Sequence, residues 1–298
     1  MDLISVRRKY NNIKNIMITI IIVMFLIVLF VVVKEIYEIR CLNNVYSEYA
    51  KIIQQAEIKM QEINEQKRIQ REAERKARMP KLTDEGKNNM ANLYKSDTKR
   101  VFLTFDDGPS QTVTTSILDT LKQENIKATF FLLGSRVELY PELAKREYEE
   151  GHYLAIHGYS HVYSQIYASP QDVLDEYNKT LVAIRNAIGE QNYNPHLFRF
   201  PGGYYGGKYA SIKKEAAVLL EQNDILHVDW NALTSDAAGN TTTEQFLAEL
   251  EKEVTKNSVV VLMHDAGTKK ATAEALPQII SFFRERNYEF DNFYSIIK

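Results

Sequence analysis

The sequence predicts an α/β fold: a parallel sheet or barrel over residues 99–298, preceded by a transmembrane helix and a helical stalk. Three observations predict it. Short apolar runs rich in β-branched and aromatic residues each stop on a cluster of polar groups, and segments of helical length separate them. An apolar run near the N-terminus is then followed by a long charged stretch, 34–79, without a single Gly or Pro.

The first element is the run from Ile16 to Val33, broken only by Thr19 and preceded by Arg7, Arg8, Lys9 and Lys14. It is close to the length of about 20 residues that a helix needs to cross a bilayer. A cleaved signal peptide would have a shorter apolar core ending in small residues, whereas this run ends in Val-Val-Val-Lys-Glu with no Ala-x-Ala-like site. The reading is an uncleaved anchor: 1–14 a cytoplasmic tail, 15–33 the span, and everything after Lys34 outside the cell, since the positive flank stays inside. This makes the protein a single-pass protein of the cell membrane.

Residues 34–79 are rich in Glu, Lys, Gln, Ile and Arg. Leu42, Val45, Tyr49, Ile52, Ala56 and Ile63 keep a spacing of three and four, with Lys59 where an apolar residue is due, so the stretch fits either a short coiled-coil seam joining two copies or a solvated single helix. At 1.5 Å per residue such a rod reaches about 70 Å. Cys41 is the only cysteine, which excludes an internal disulfide and leaves a free thiol or a bridge to a second copy. Residues 80–98 read as a linker with a short helix.

The remaining 99–298 suit one domain with a single core, given that 45% of the chain is hydrophobic. A formal charge of −2 offers no basic field to neutralise phosphates, which excludes a nucleic-acid partner.

Within this domain Val101-Phe102-Leu103-Thr104-Phe105 runs into Asp106-Asp107, and Gly108-Pro109 turns the chain. Taken alone, Asp-Asp-Gly is equally a turn with a capping carboxylate. Four further runs repeat the pattern, however. Tyr153–Ile156 meets His157-Gly158-Tyr159-Ser160-His161; Leu197-Phe198 meets Arg199-Phe200-Pro201-Gly202-Gly203; Ile225–Val228 meets Asp229-Trp230, with Asp236 close behind; Val259–Met263 meets His264-Asp265. Amphipathic segments near 111–125, 138–150, 170–189, 208–223, 242–256 and 271–285 read as the intervening helices. Each cluster thus falls at the carboxyl end of a strand, where parallel α/β proteins gather their chemistry.

His157 and His161, four positions apart, can meet one ion, and with a carboxylate from Asp107 they make a two-His, one-carboxylate face with positions left for water and substrate. Two adjacent carboxylates resist joint ionisation unless their roles differ. Asp106 is therefore the natural base for a bound water and His264 the natural acid for a leaving group. Asp236 would hold the His264 imidazole and raise its pKa, and Arg199 would neutralise and orient Asp106. Together these parts amount to metal-assisted acyl hydrolysis. His152, His196 and His227 have no such surroundings and read as packing or surface residues; Asp229 fits a supporting role or a solvated loop, and Asp265 loop hydrogen bonding.

In order and spacing, Thr104-Phe105-Asp106-Asp107-Gly108, the His-x-x-x-His of 157–161, the Arg-x-Pro of 199–201, Asp236 and the Leu-x-His of 262–264 resemble the five motifs of the polysaccharide deacetylases of carbohydrate esterase family 4. The resemblance implies a distorted (β/α) barrel that removes N- or O-acetyl groups from polysaccharides, commonly with Zn2+, sometimes with Co2+ or Mn2+. It implies Asp106 as base, Asp107, His157 and His161 as metal ligands, Arg199 as the group positioning the base, and Asp236 with His264 as the acid pair. It further implies Leu262 in the pocket for the acetyl methyl and the Gly202 N–H at the oxyanion.

The chain departs from that pattern at three places. Gly158 stands where a Ser or Thr is usual, Gly202 where a Tyr is common, and Ala237 where a Trp is common, leaving Trp230 as the only Trp to shape that wall. For an enzyme tethered outside the membrane the nearest acetylated polymer is the cell's own peptidoglycan, with N-acetylglucosamine as the expected target. An exported amino-sugar polymer, chitin or xylan are the alternatives. Two other classes are open to the same residues: a catalytically idle glycan-binding scaffold, and a non-haem iron oxygenase, which shares the two-His, one-carboxylate face but leaves Asp106 and His264 without a task.

Overall fold

The computed structural model describes residues 2–297; Met1 and Lys298, the outer ends of the expected tail and catalytic domain, lie outside the described residues, as do the side chains of Leu3, Ile4, Ser5 and Tyr10. The chain divides into two units, residues 1–73 and 74–298.

The first unit is helical throughout, the greater part of helix α1 (Leu3–Ala77). It contains the one helix among the described residues long and apolar enough to cross a membrane, with a window of mean hydropathy 3.6. Every side chain from Ile16 to Val33 is exposed, as the lipid-facing surface of a lone span would be. Thr19, the one polar residue in the run, returns its hydroxyl to the Asn15 carbonyl at 2.9 Å, so the helix satisfies it internally.

The second unit is built on parallel strands. After the short helix α2 (Asp84–Ala91), capped by the Thr83 hydroxyl, come β1 (Arg100–Asp106), β2 (Thr129–Leu133), β3 (Tyr153–Gly158), β4 (Leu197–Phe198), β5 (Leu226–His227), β6 (Ala232–Leu233), β7 (Ser258–His264) and β8 (Glu289–Asp291). Their order is β5-β4-β3-β2-β1-β7-β6, every pairing parallel, and β8 lies along the first half of β1. No ladder joins β5 to β6 among the described residues, so the sheet curls as a half-barrel: this is the distortion of the expected barrel.

Helices α3 (Val113–Gln123), α4 (Gly134–Leu139), α5 (Pro141–Glu149), α6 (Tyr163–Ile166), α7 (Pro170–Ile188), α8 (Ala210–Gln222), α9 (Thr243–Glu253) and α10 (Lys270–Glu285) fill the crossovers. Their ends carry ordinary signals. Ser169 caps α7 with Pro170 in its first turn, Gly189 closes it in the left-handed conformation, and Thr242 and Gln245 form a reciprocal capping box on α9. The expected helix near 138–150 is two helices, because Pro141 cannot continue α4 and instead starts α5.

Alternation along the strands separates two cores. Val101, Leu103 and Phe105 of β1, Leu154 and Ile156 of β3, and Val259, Val261 and Met263 of β7 join the large cluster beneath the helices. Their neighbours Phe102, Tyr153, Ala155 and Val260 join a smaller cluster on the concave face, together with Leu197, Phe131 and Phe293. With a side-chain period of two, Asp106, His157, Arg199 and His264 continue that concave series at the carboxyl ends. The register sets Asp106 beside His264, Thr104 beside Leu262 and Phe102 beside Val260, so one line of residues passes from apolar floor to polar rim.

The segment 80–98 completes the floor. Leu93 is buried in the concave core, with Leu82, Met90 and Tyr94 packed against it, and the Leu93 carbonyl accepts hydrogen bonds from Ser258 Oγ and Arg100 Nη2.

Candidate active site

One cavity of about 370 Å³ opens at the rim of the concave face, lined by Asp106, Asp107, His157, His161, Gly202, Trp230, Asp236, Leu262 and His264 among others. Every residue given a catalytic, metal-ligating or substrate-binding role from the sequence borders it except Arg199, which lies beneath, fully buried.

Asp107, His157 and His161 come together as a donor set. The His157 and His161 Nε2 atoms lie 3.6 and 3.4 Å from Asp107 Oδ1. Metal–ligand bonds of about 2.0–2.1 Å at tetrahedral angles place neighbouring donors about 3.4 Å apart, so the spacing fits one divalent ion. Two further observations agree. Asp107 Oδ1 is buried yet has no hydrogen-bond partner among the described residues, and the His157 Nδ1–H is committed to the Arg199 carbonyl at 2.8 Å, leaving Nε2 with its lone pair turned to the cavity. Burial, against the nearby Asp107 charge, drives the His157 pKa down to about 3, so the ring is neutral and able to ligate.

The backbone here is under constraint. Asp107 and His161 both have positive φ, 75° and 56°, in the left-handed region that non-glycine residues rarely enter. The pairing of β2 with β3 passes from Leu132–Ile156 to Leu133–Gly158, so His157 is the extra residue of a bulge, a device that re-aims a side chain at a strand end.

Glu176 of α7 holds the histidine loop. Its Oε2 accepts from the N–H groups of Tyr159 (2.6 Å) and Ser160 (2.9 Å), and its Oε1 from the Ser160 hydroxyl. Gly158 allows this. It has φ 105°, and a Cβ there would stand 3.1 Å from Glu176 Oε2 and 3.0 Å from Ile166 Cδ1. The carboxylate thus occupies the place where a hydroxyl at position 158 would act.

Asp106 lies on the opposite side, 2% exposed. Arg199 Nη1 donates to its Oδ1 at 2.8 Å and to Thr104 Oγ1 at 2.7 Å, Nε and Nη2 reach the Val228 and Asp229 carbonyls, and the guanidinium carbon sits 3.9 Å from the Phe131 ring centre. This fixed fork leaves Asp106 Oδ2 free toward the cavity, 3.7 Å from His157 Nε2. Burial raises the Asp106 pKa; the Arg199 and His264 charges oppose that shift.

His264 faces Asp106 across the sheet register, and its Nδ1–H donates to Asp236 Oδ1 at 2.8 Å. Asp236 is held in turn by the Thr272 hydroxyl, while Lys269 Nζ donates to its carbonyl. The loop carrying Gly202 is pinned at three points: Tyr167 Oη donates to the Pro201 carbonyl, Lys213 Nζ to the Gly203 carbonyl, and the Tyr204 N–H to both Asp229 oxygens. Leu262 and Trp230 supply the apolar walls. The arrangement can bind a cation, take a proton on one side and give one on the other.

Asp229 is thus a supporting group, and Asp265 makes its loop bonds with Ser110 and Thr114. His152, His196 and His227 do not line the cavity: the first accepts from the Ala128 N–H, the second donates to the Asp224 carbonyl, and the third packs at a tilt against Tyr204. Sequence reasoning missed Glu176, Tyr163, Tyr167 and Lys213. Glu176 and Lys213 sit on helices whose visible signal was amphipathicity, and Tyr163 and Tyr167 belong to a four-residue helix and the turn after it, too short to show a period.

The family described as polysaccharide deacetylase matches residues 94–219. A peptidoglycan-N-acetylglucosamine deacetylase of Bacillus cereus is 34% identical over 201 residues, covering 66% of this chain and 70% of that protein. A protein of the same description from Listeria monocytogenes is 35% identical over 192 residues, which is 64% of this chain and 37% of that longer protein. Among solved structures, a CE4 esterase of Streptococcus mutans matches with a TM-score of 0.63 at 34% identity, over 71% of this chain and 92% of that one. The catalytic domain of a peptidoglycan N-acetylglucosamine deacetylase of Eubacterium rectale matches with a TM-score of 0.60 at 32% identity, over 66% and 90%.

Proposed function

Because this chain belongs to the polysaccharide deacetylases of carbohydrate esterase family 4, we propose that it hydrolyses the N-acetyl groups of N-acetylglucosamine in cell-wall peptidoglycan. In this reading it works outside the cell membrane, which a single N-terminal helix crosses with its tail in the cytoplasm. The observation that carries the proposal is the pairing, in one cavity, of a metal-ready donor set with a base on one side and an acid on the other.

Asp107, His157 and His161 would hold a divalent metal, Zn2+ first and Co2+ or Mn2+ as substitutes. Such an ion lowers the pKa of a bound water and polarises an acyl oxygen. Asp106, fixed by Arg199 with one oxygen free, accepts the proton of the attacking water. The Gly202 N–H, on a loop pinned by Tyr167, Lys213 and Asp229, donates to the oxygen that gains charge. His264, kept protonated by Asp236, gives its proton to the departing amine. Leu262 bounds the space for the acetyl methyl, and Trp230 stands as a wall for the sugar.

Support for peptidoglycan comes from the names of the relatives and from the apolar helix. An enzyme fixed to a membrane acts on what lies beside it. The test compares acetate release by the zinc-loaded protein from purified wall, soluble chitin oligomers and acetylated xylan. Wall is expected to be the best substrate; a preference for xylan sinks the wall reading, and no release from any of the three sinks the deacetylase reading.

A further inference from the structure

Gly202 departs from the Tyr common at that position, and the space beside it is taken by another tyrosine. A Cβ on Gly202 would stand 2.6 Å from the Tyr163 hydroxyl oxygen and 3.2 Å from its Cζ. Tyr163 comes from α6, two residues beyond His161, and lines the cavity. Its ring is held on three sides, 5.5 Å from the His161 ring, 5.7 Å from Tyr167 and 6.5 Å from Tyr209, the last two edge-on. The residue is 40% exposed, and these contacts set its ring with the hydroxyl beside the Gly202 backbone.

Neither donor is used inside the protein. The Tyr163 O–H makes no hydrogen bond among the described residues, although the neighbouring Tyr167 hydroxyl is engaged with Pro201. The Gly202 N–H is likewise without a partner among the described residues, while the adjacent Gly203 N–H closes a turn onto Phe200. Two idle donors side by side, at the edge of the Asp107, His157 and His161 cluster, suit a single acceptor. The atom in this reaction that accepts twice and gains charge is the acetyl oxygen as the carbonyl becomes tetrahedral.

We propose that the Tyr163 hydroxyl is a second donor to the substrate's acetyl oxygen, acting beside the Gly202 N–H and supplying from α6 a contact to the developing oxyanion. This rests on the deacetylase reading. It also explains why glycine stands at 202: any side chain there would displace the hydroxyl, in a backbone conformation (φ 73°) that favours glycine in any case.

The test is Tyr163→Phe, which keeps the ring and removes only the donor. With zinc-loaded full-length protein and N-acetylglucosamine oligomers, kcat is expected to fall by about 100-fold, as when one oxyanion donor is removed, with KM within about twofold of the unaltered protein. Two further measurements separate this role from a structural one. Zinc affinity and melting temperature should be unchanged, and binding of acetohydroxamic acid, whose carbonyl oxygen occupies the same place, should weaken about tenfold. If kcat stays within twofold, or if KM alone rises, the hydroxyl does not serve the oxyanion. If the unaltered protein releases no acetate, the deacetylase reading falls first and this assignment with it; an active parent beside an equally active variant removes this assignment alone.

Discussion

Asp236 grips His264 through both carboxylate oxygens, Oδ1 accepting from Nδ1 at 2.8 Å and Oδ2 from the His264 main-chain N–H at 2.9 Å. The side chain and the strand end that carries it are thus fixed by the same group. Burial pulls the His264 pKa down, but the hydrogen bond and charge of Asp236, followed by the charges of Asp106 and Asp107, outweigh it and lift the value to about 8. Asp236 is itself held below its usual range, because the bonds from His264 and Thr272 overcome its desolvation.

The sign of the pH dependence follows. An acid with a raised pKa is present below that value and lost above it, so kcat/KM should hold up to about pH 8 and then fall about tenfold per unit. In Asp236→Asn the supporting charge is gone, the His264 pKa drops, and the alkaline limb moves to lower pH. An unmoved limb in a pH–rate profile of the variant would show that another group is the acid.

Asp106→Asn keeps the size of the side chain and one acceptor for Arg199 but removes the base. Acetate release should fall by about 10²–10⁴-fold, while zinc titration gives an affinity near that of the parent, since Asp106 is not in the donor set. A scaffold that only binds glycans would release no acetate either before or after the change.

Glu176→Ala removes the acceptor of three hydrogen bonds from the loop between His157 and His161. Groups that orient metal ligands are worth about 10–100-fold in metal affinity. Zinc affinity should weaken by that factor, with kcat largely recovered at saturating zinc, and Glu176→Gln should fall between the two. Equal zinc affinity in Glu176→Ala and the parent would dismiss the loop-holding role.

Gly158→Ser would restore the residue usual at this position, yet here it should do harm. The left-handed backbone costs about 1–3 kcal/mol for a non-glycine residue, and the new Cβ meets Glu176 and Ile166. A drop of several degrees in melting temperature, measured by calorimetry, is expected; an unchanged or higher value would mean that the loop can adopt another path.

Removal of the metal should lower stability and activity together. Zinc at about 100 times its Kd stabilises the folded state by about 2.7 kcal/mol, and Asp107→Ala, which deletes the shared oxygen, should abolish that shift along with acetate release. A zinc-dependent melting shift that survives in the variant would place the ion elsewhere.

Much of the site was legible because it follows from alternation. A strand whose side chains alternate between two buried faces presents Asp106 and His264, at the ends of β1 and β7, on the same face. Strand β2 was not legible. It ends at Leu133 and runs into Gly134-Ser135, with no chemistry to mark it, and β6 and β8 are too short to show a period. The break at Pro141 was a local signal that a run of helical length concealed. The segment 80–98, polar enough to read as a linker, carries Leu93 into the concave core, a role that only its burial reveals.

By itself the sequence determined the chemistry: a membrane-length apolar run, a parallel α/β order, and five clusters whose residue types suit metal-assisted hydrolysis. Periodicity and composition are local, and so they survive in one dimension. Tertiary structure decided which groups orient those residues. The bulge at His157, the positive φ of Asp107 and His161, the Glu176 clasp, and the approach of Tyr163 to Gly202 each join positions far apart along the chain or depend on backbone angles. No spacing rule encodes such contacts, because they arise only when the helices have packed against the curled sheet.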